Sequence, residues 1–133
     1  MTRFLLDTSA VIDPPTTVRG SGDEYVVSAI TIAELNVGIH QALDPVELTA
    51  RVGRLQWLAR SGLVLPFTES AAQAYGQLYA MVIATGRNPR RRQMDLLIAS
   101  VAAANQLPLL TRNAKDFADL TPLIDLVDLQ KQD

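Results

Sequence analysis

Four carboxylic acids that stand next to apolar segments are the residues whose types and spacing suggest chemistry. The first follows the apolar run Phe4-Leu5-Leu6, two lie near the starts of helical patterns, and the fourth follows a later apolar run at 107–110. Two carboxylates held 4 Å apart repel by about 4 kcal/mol at an effective dielectric constant of about 20, so a cluster of four requires a cation or bound protons. The four acids are Asp7, Glu34, Asp95 and Asp116.

The donor atoms that the chain can offer to a cation at such a cluster are oxygens. The sequence has no cysteine and one histidine, His40, to which we assign no catalytic role. Oxygen ligands select hard ions, and a partly hydrated cluster suits Mg²⁺, or Mn²⁺ as its substitute, better than Zn²⁺. An ion of this kind can activate water and stabilise the in-line displacement at a phosphodiester.

Each acid also has a purely structural interpretation. Asp7 could cap the first helix, and Glu34 could complete a capping box, Thr31-Ile32-Ala33-Glu34, that opens the second. Asp95 could be a first-turn acid favoured by the helix dipole, and Asp116 could be a solvent-exposed residue of a short helix. The joint placement of the four residues favours a shared site.

The segments that would position these acids alternate between strand-like and helical patterns. This alternation predicts an α/β fold, a three-layer α/β/α sandwich with a mainly parallel sheet. In open sheets of this class, ligands bind beyond the carboxyl ends of the strands, where the winding direction reverses. The predicted strands are 4–6, 25–27, 63–65, 107–110 and 124–129, and the predicted helices are 10–12, 31–39, 45–62, 68–86, 94–105 and 114–120.

The predicted helix 45–62 has apolar residues on two sides. One stripe is expected to face the core. The opposite strip is typical of an interface, although a neighbouring helix could cover it instead. The core stripe is Leu48, Val52, Leu55 and Ala59. The opposite strip is Val46, Ala50, Gly53 and Trp57.

Length and composition exclude several classes of protein. A chain of 133 residues can bury a core, and we expect a single domain over 1–133. The hydrophobic content of 48% is too high for intrinsic disorder, and no apolar run reaches the ~20 residues of a membrane span. Asp7 interrupts the first apolar stretch before a signal peptide could form, so we expect a mature cytoplasmic protein.

Basic residues are concentrated in one segment, although the net charge of -2 gives no general attraction to nucleic acid. Four arginines lie within 87–92, which we expect to be a loop. Guanidinium groups near an acidic metal site could hold a phosphate backbone across it, whereas a solvated connector is the structural alternative. The candidate phosphate contacts are Arg87, Arg90, Arg91, Arg92 and, further along the chain, Arg112.

Four blocks that contain the acids occur in a fixed order along nearly the whole chain. They are Leu5-Leu6-Asp7-Thr8-Ser9, Thr31-Ile32-Ala33-Glu34-Leu35, Met94-Asp95-Leu96-Leu97-Ile98-Ala99, and Leu110-Thr111-Arg112-Asn113 with Lys115-Asp116-Phe117. Together they resemble the signature blocks of PIN-domain ribonucleases, with the order and spacing of VapC-like toxins of type II toxin–antitoxin systems.

The resemblance implies a sheet ordered 3-2-1-4-5 and a Mg²⁺-dependent endoribonuclease toxin that a cognate antitoxin neutralises. It also implies a homodimer. The four acids would form the catalytic metal site, and members of the family can carry a further acid where this chain has Asn113. The supporting polar groups would be Thr8, Ser9, Thr111 and Asn113.

Other functions remain open on the residues alone. A phosphatase of the haloacid dehalogenase type also places an Asp after its first strand, but it needs a second Asp where this chain has Ser9. A response-regulator receiver would need adjacent acids, whereas Leu5-Leu6 precede Asp7. A catalytically silent PIN-like module that binds RNA or protein is the third alternative, and the complete acidic set argues against it. Metal-dependent cleavage of RNA discriminates among these functions.

Overall fold

The structure, a computed structural model, describes residues 2–15, 22–61 and 63–132. Its five strands are β1 (Arg3–Leu6), β2 (Glu24–Ser28), β3 (Val64–Leu65), β4 (Leu109–Thr111) and β5 (Leu126–Asp128). They form one sheet in the order β3-β2-β1-β4-β5, and every neighbouring pair is parallel. The α/β class and the strand order 3-2-1-4-5 are confirmed.

Helices cover both faces of this sheet. The α-helices are α1 (Thr8–Ile12), α2 (Ala29–Ile39), α3 (Pro45–Ser61), α4 (Glu69–Ala84), α5 (Gln93–Asn105) and α6 (Leu129–Gln132). Two 3₁₀ helices add to them, which we call the arginine 3₁₀ helix (Pro89–Arg92) and the acidic 3₁₀ helix (Ala114–Leu120). No helix in the described ranges is long and apolar enough to cross a membrane.

The core is divided into two apolar clusters by the sheet, because successive side chains of a strand point to opposite faces. In β1, Leu5 belongs to the cluster under α4, α5 and the acidic 3₁₀ helix. Leu6 belongs to the cluster under α1, α2 and α3. Leu109 and Leu110 of β4 divide in the same way. The central strands are therefore buried on both sides, as a parallel sheet requires.

The second helix begins earlier than predicted, and the capping-box interpretation is wrong. Strand β2 leads directly into α2, and Ser28 Oγ accepts a hydrogen bond from the Ile30 amide at 2.9 Å. Thr31 is a buried residue inside the helix instead of its cap. The strand therefore supplies its own capping residue, which leaves the Glu34 side chain available for another contact.

The third helix lies where it was predicted, but the face that it buries differs from the predicted core stripe. Leu48 of the predicted core stripe is 40% exposed and Ala59 is exposed, whereas Leu58, which the stripe omitted, is 2% exposed. Helix α3 packs against α2 and against the two-residue edge strand β3, so it contacts only a small part of the sheet. Trp57, on the opposite strip, is 59% exposed. The predicted helix end at Gly62 lies outside the described residues.

The arginine segment is not the loop that we predicted. Helix α4 begins at the predicted position, with Thr68 as its cap, and is followed by Gly86 in a left-handed conformation with φ of 80°. The arginine 3₁₀ helix is capped by Asn88, whose Oδ1 accepts a hydrogen bond from the Arg90 amide at 3.0 Å, and it continues directly into α5. Three of the four arginines thus lie on a short helix immediately before Asp95, and Arg87 precedes that helix.

Candidate active site

The candidate site forms where the carboxyl ends of β1 and β4 meet. Leu6 pairs with Leu110 in the register of the two strands, so the next residues, Asp7 and Thr111, lie side by side. Thr111 Oγ1 donates a hydrogen bond of 2.5 Å to Asp7 Oδ2. This is the switch point at which parallel sheets of this class place their ligands, because β1 lies between β2 and β4.

Asp7 is the most fixed of the four acids. Its side chain is buried, and Oδ1 accepts hydrogen bonds from the Ala10 amide at 2.9 Å and from Ser9 Oγ at 2.6 Å. Ser9 Oγ in turn accepts a hydrogen bond from the Arg112 amide at 3.0 Å. The helix-capping interpretation of Asp7 is therefore correct, and the same contacts fix the orientation of its carboxylate.

The Glu34 side chain accepts a hydrogen bond from a residue of α1, although Glu34 itself lies on α2. Thr8 Oγ1 donates a hydrogen bond of 2.6 Å to Glu34 Oε1. The same hydroxyl lies 3.1 Å from Thr31 Oγ1, which is one turn before Glu34 on α2. These contacts join α1 to α2 beside Asp7 and place a second carboxylate at this edge of the sheet.

Asp95 and Asp116 complete the group of acids from the other side. Asp95 is the third residue of α5, and Asp116 is the third residue of the acidic 3₁₀ helix. Burial, together with the negative charges of Asp116, Asp7 and Glu34, raises the pKa of Asp95 from its usual 3.8 to about 6, and Arg92 opposes this shift. Asp95 is thus close enough to each of the other three acids to be repelled by its charge.

The donor set fits a hydrated hard cation better than a closed metal cage. In the described ranges, no three acidic or histidine side chains are arranged closely enough to enclose one ion. Among the residues that the structure describes, no side chain donates a hydrogen bond to the carboxylate of Asp95 or Asp116. The oxygens of these two carboxylates are therefore available to an ion. Mg²⁺ usually keeps several waters and binds through one or two carboxylates together with substrate phosphates, which an open acidic cluster permits.

Two of the predicted site residues, Asn113 and Arg112, are not directed at the acids by hydrogen bonds. The Asn113 side chain is exposed, and the backbone N–H of Asn113 donates a hydrogen bond of 3.0 Å to Thr111 Oγ1. The Arg112 guanidinium donates hydrogen bonds to the carbonyl oxygens of Asp13 at 2.9 Å and Pro14 at 3.2 Å, and to Gln130 Oε1 at 3.2 Å. Arg112 therefore braces the end of α1 against α6.

The arginine segment separates into a paired member and exposed members. Arg92 Nη1 donates hydrogen bonds to both carboxylate oxygens of Asp119, at 3.0 and 3.1 Å, and both side chains are largely buried. Arg87 Nη1 is 3.9 Å from the same carboxylate. Arg90 and Arg91 are exposed and have no ion pair with any residue that the structure describes.

Asp119 is a residue of this site that sequence reasoning missed. The available signal was its position three residues after Asp116. In a 3₁₀ helix, residues three apart lie on the same side, so the two acids share one face of the acidic 3₁₀ helix. That face is turned toward the arginine 3₁₀ helix.

Two depressions place the exposed arginines beside the acids. One, of about 520 Å³, is lined by Arg87, Arg91 and Asp116 among others. The second, of about 370 Å³, includes Glu34, Arg90 and Asp95 in its wall. Basic groups that could contact phosphate therefore border the acidic cluster directly.

A comparison with protein families decides the assignment. The PIN domain model matches residues 4–121, which include all four acids. The chain belongs to the PIN-domain family. This membership confirms the resemblance carried by the four blocks and removes the phosphatase alternative.

Relatives of this PIN domain include VapC proteins. The ribonuclease VapC5 of Mycobacterium tuberculosis is 35% identical over 98 residues, which cover 74% of this chain and 70% of that protein. A chain of the VapBC-5 toxin–antitoxin structure from the same organism is 29% identical, with a TM-score of 0.80 over 96% of this chain and 98% of that one. A chain of VapBC-1 from nontypeable Haemophilus influenzae, 24% identical, has the same fold, with a TM-score of 0.77 over 97% and 99% of the two chains.

Proposed function

We propose that this PIN domain, as a single domain over 1–133, is a metal-dependent endoribonuclease toxin that a cognate antitoxin holds inactive. The observation that carries the proposal is the group of four acids at the carboxyl ends of β1 and β4. The identity of 35% to a protein named as a ribonuclease supports the choice of RNA as substrate. Relatives that were solved as VapBC complexes support the choice of an antitoxin as partner.

The proposed metal ligands are Asp7, Glu34, Asp95 and Asp116. Bound Mg²⁺, or Mn²⁺ in its place, supplies Lewis-acid stabilisation of the phosphate and lowers the pKa of an attacking water. Ser9 and Thr111 orient the Asp7 carboxylate, and Thr8 orients that of Glu34, through the hydrogen bonds described above. Asp95 and Asp116 keep their lone pairs available, and Asn113 offers a further polar group at the rim.

The exposed arginines are the proposed contacts to the RNA backbone. Arg87, Arg90 and Arg91 border the acids, and guanidinium groups bind phosphate oxygens in a bidentate manner. Arg92 and Arg112, which were also predicted to contact RNA, are occupied by Asp119 and by the end of α1. We therefore assign the main backbone contacts to the three exposed arginines.

Cleavage of cellular RNA tests this function. Purified protein is incubated with total RNA and Mg²⁺, and newly formed 5′ ends are mapped by sequencing. We expect defined cuts that disappear with EDTA and with Asp95→Asn. If RNA is bound but never cut with Mg²⁺ or Mn²⁺, the chain is the catalytically silent module and the proposed enzyme is wrong.

A homodimer and a complex with the antitoxin are the proposed assemblies. The relatives solved as VapBC complexes support the second of these. The exposed strip of α3, with Val46 and Trp57 at its two ends, offers apolar surface for one such contact.

A further inference from the structure

Helix α3 contains an arginine that has no partner in the described ranges. Arg54 is half-buried, and no residue of those ranges forms a hydrogen bond or an ion pair with its guanidinium. Arg51, one turn earlier, is by contrast fully engaged, because it donates to the Gly38 carbonyl and pairs with Glu47. Its nitrogens are not among the buried unpartnered side-chain atoms of the described ranges, so the guanidinium stays accessible and can bind a ligand with negative charge.

The surroundings of Arg54 indicate which ligand this is. Arg54 lines a cavity of about 420 Å³ between α2 and α3, and Thr8 and Glu34 belong to the same wall. Glu34 also lines the depression that contains Arg90 and Asp95. The two spaces therefore meet at Glu34, with Arg54 in one of them and the exposed arginines in the other.

We propose that Arg54 binds a backbone phosphate of the RNA substrate on the α3 side of Glu34. The RNA strand would then be held on both sides of the acids, by Arg54 on one side and by the arginine 3₁₀ helix on the other. This inference rests on the proposed function, because the acids mark the position of the phosphodiester that is cut. The planar guanidinium fork suits a phosphate, whose oxygens it can contact in a bidentate manner.

Steady-state cleavage of one single-stranded RNA by wild type, Arg54→Ala and Arg60→Ala tests the inference. Arg60 is the matched control, because it is an exposed arginine of the same helix that lies outside this cavity and its replacement removes the same charge. For Arg54→Ala we expect KM to rise about tenfold, the scale of one charge-assisted contact, while kcat stays within about twofold. The slope of log KM against log salt should fall by about 0.7, the value for one phosphate contact to a single strand.

The controls separate this inference from the proposed function. Arg54→Lys should keep the salt slope and lose only part of the affinity, and thermal melting verifies that each variant is folded. If wild type cuts no RNA, the proposed function fails. If wild type cuts RNA and Arg54→Ala behaves like Arg60→Ala, only the role of Arg54 is refuted. Unchanged RNA kinetics with a weaker antitoxin complex would likewise overturn the inference and assign Arg54 to the protein partner.

Discussion

Two acids of the same cluster differ in how the protein surrounds them. Asp7 accepts three hydrogen bonds, from Ala10, Ser9 and Thr111. Asp95 accepts none from the described part of the chain, and burial with its acidic neighbours raises its pKa to about 6. Replacing each acid with its amide should therefore change stability in opposite directions, although both changes remove a proposed metal ligand.

We expect Asp7→Asn to abolish RNA cleavage and to lower the free energy of unfolding by about 1 kcal/mol. The amide nitrogen of Asn cannot accept hydrogen bonds, so either the Ser9 and Ala10 contacts or the Thr111 contact is lost. Urea denaturation measures the stability, with Asp125→Asn, at an exposed position, as the control. Retention of activity by Asp7→Asn would remove this residue from the metal site.

The raised pKa of Asp95 predicts how stability depends on pH without metal. The pKa is about 6 in the folded chain and about 3.8 in the unfolded one, so the unfolded state loses the proton first. The resulting stabilisation is fully present below about pH 4 and is lost as the pH rises through about 6. Urea denaturation in EDTA should show that Asp95→Asn is more stable than wild type at neutral pH and that the difference narrows in acid. An equal difference at every pH would contradict the prediction.

The elements that support the acids are joined by one buried ion pair. Arg92, at the junction of the arginine 3₁₀ helix and α5, contacts Asp119 of the acidic 3₁₀ helix. Asp95 and Asp116 lie on the two elements that this pair connects. The pair thus fixes the relative position of two proposed metal ligands that come from separate parts of the sequence.

We expect Asp119→Asn to lower the free energy of unfolding by about 3 kcal/mol, because it leaves the buried Arg92 cation without a counterion. The Nε and Nη2 atoms of Arg92 are already buried without a partner among the described residues, so no other hydrogen bond of the guanidinium offsets the loss of the Asp119 carboxylate. Asp125→Asn removes an exposed carboxylate and serves as the control. Equal stability of the two variants would show that the ion pair does not hold these elements together.

The sequence predicted the elements better than the contacts between them. The Asp7 and Thr68 caps, and the helices that contain Asp95 and Asp116, follow from local rules of capping and periodicity. The partners of Glu34 and Arg92 do not, because Thr8 and Asp119 approach them only in the folded chain. The predicted start of α2 is too late because Thr31 and Glu34 have the spacing of a capping box, whereas the residue that caps the helix, Ser28, is also the last residue of β2.

At the scale of the whole molecule, the exposed strip of α3 distinguishes modes of assembly. Trp57 is the only tryptophan of the chain, so its fluorescence reports on this face alone. If the strip is the homodimer interface, the Trp57 emission should shift to shorter wavelength as concentration rises, in step with the mass measured by light scattering. A dimer that forms without any shift would exclude this face from the dimer interface.

The sheet order was expected from the resemblance of four short blocks, and the convergence of the acids was expected from the position of polar residues after strands. The side of α3 that faces the core could not be predicted from periodicity, because its apolar residues are distributed around the helix. Packing against α2 and β3 selects Leu58, and that selection is a property of the assembled fold.

If the acids supply the ligands of a divalent ion that RNA cleavage requires, the rate of cleavage must depend on the Mg²⁺ concentration and on these carboxylates. One defined RNA is cut by wild type, Asp95→Asn and the control Asp125→Asn at a fixed neutral pH. We expect the rate to saturate with Mg²⁺ for wild type and the control, and to fall by about a hundredfold or more for Asp95→Asn. Equal rates for wild type and Asp95→Asn at every Mg²⁺ concentration, or undiminished cleavage in EDTA, would contradict it.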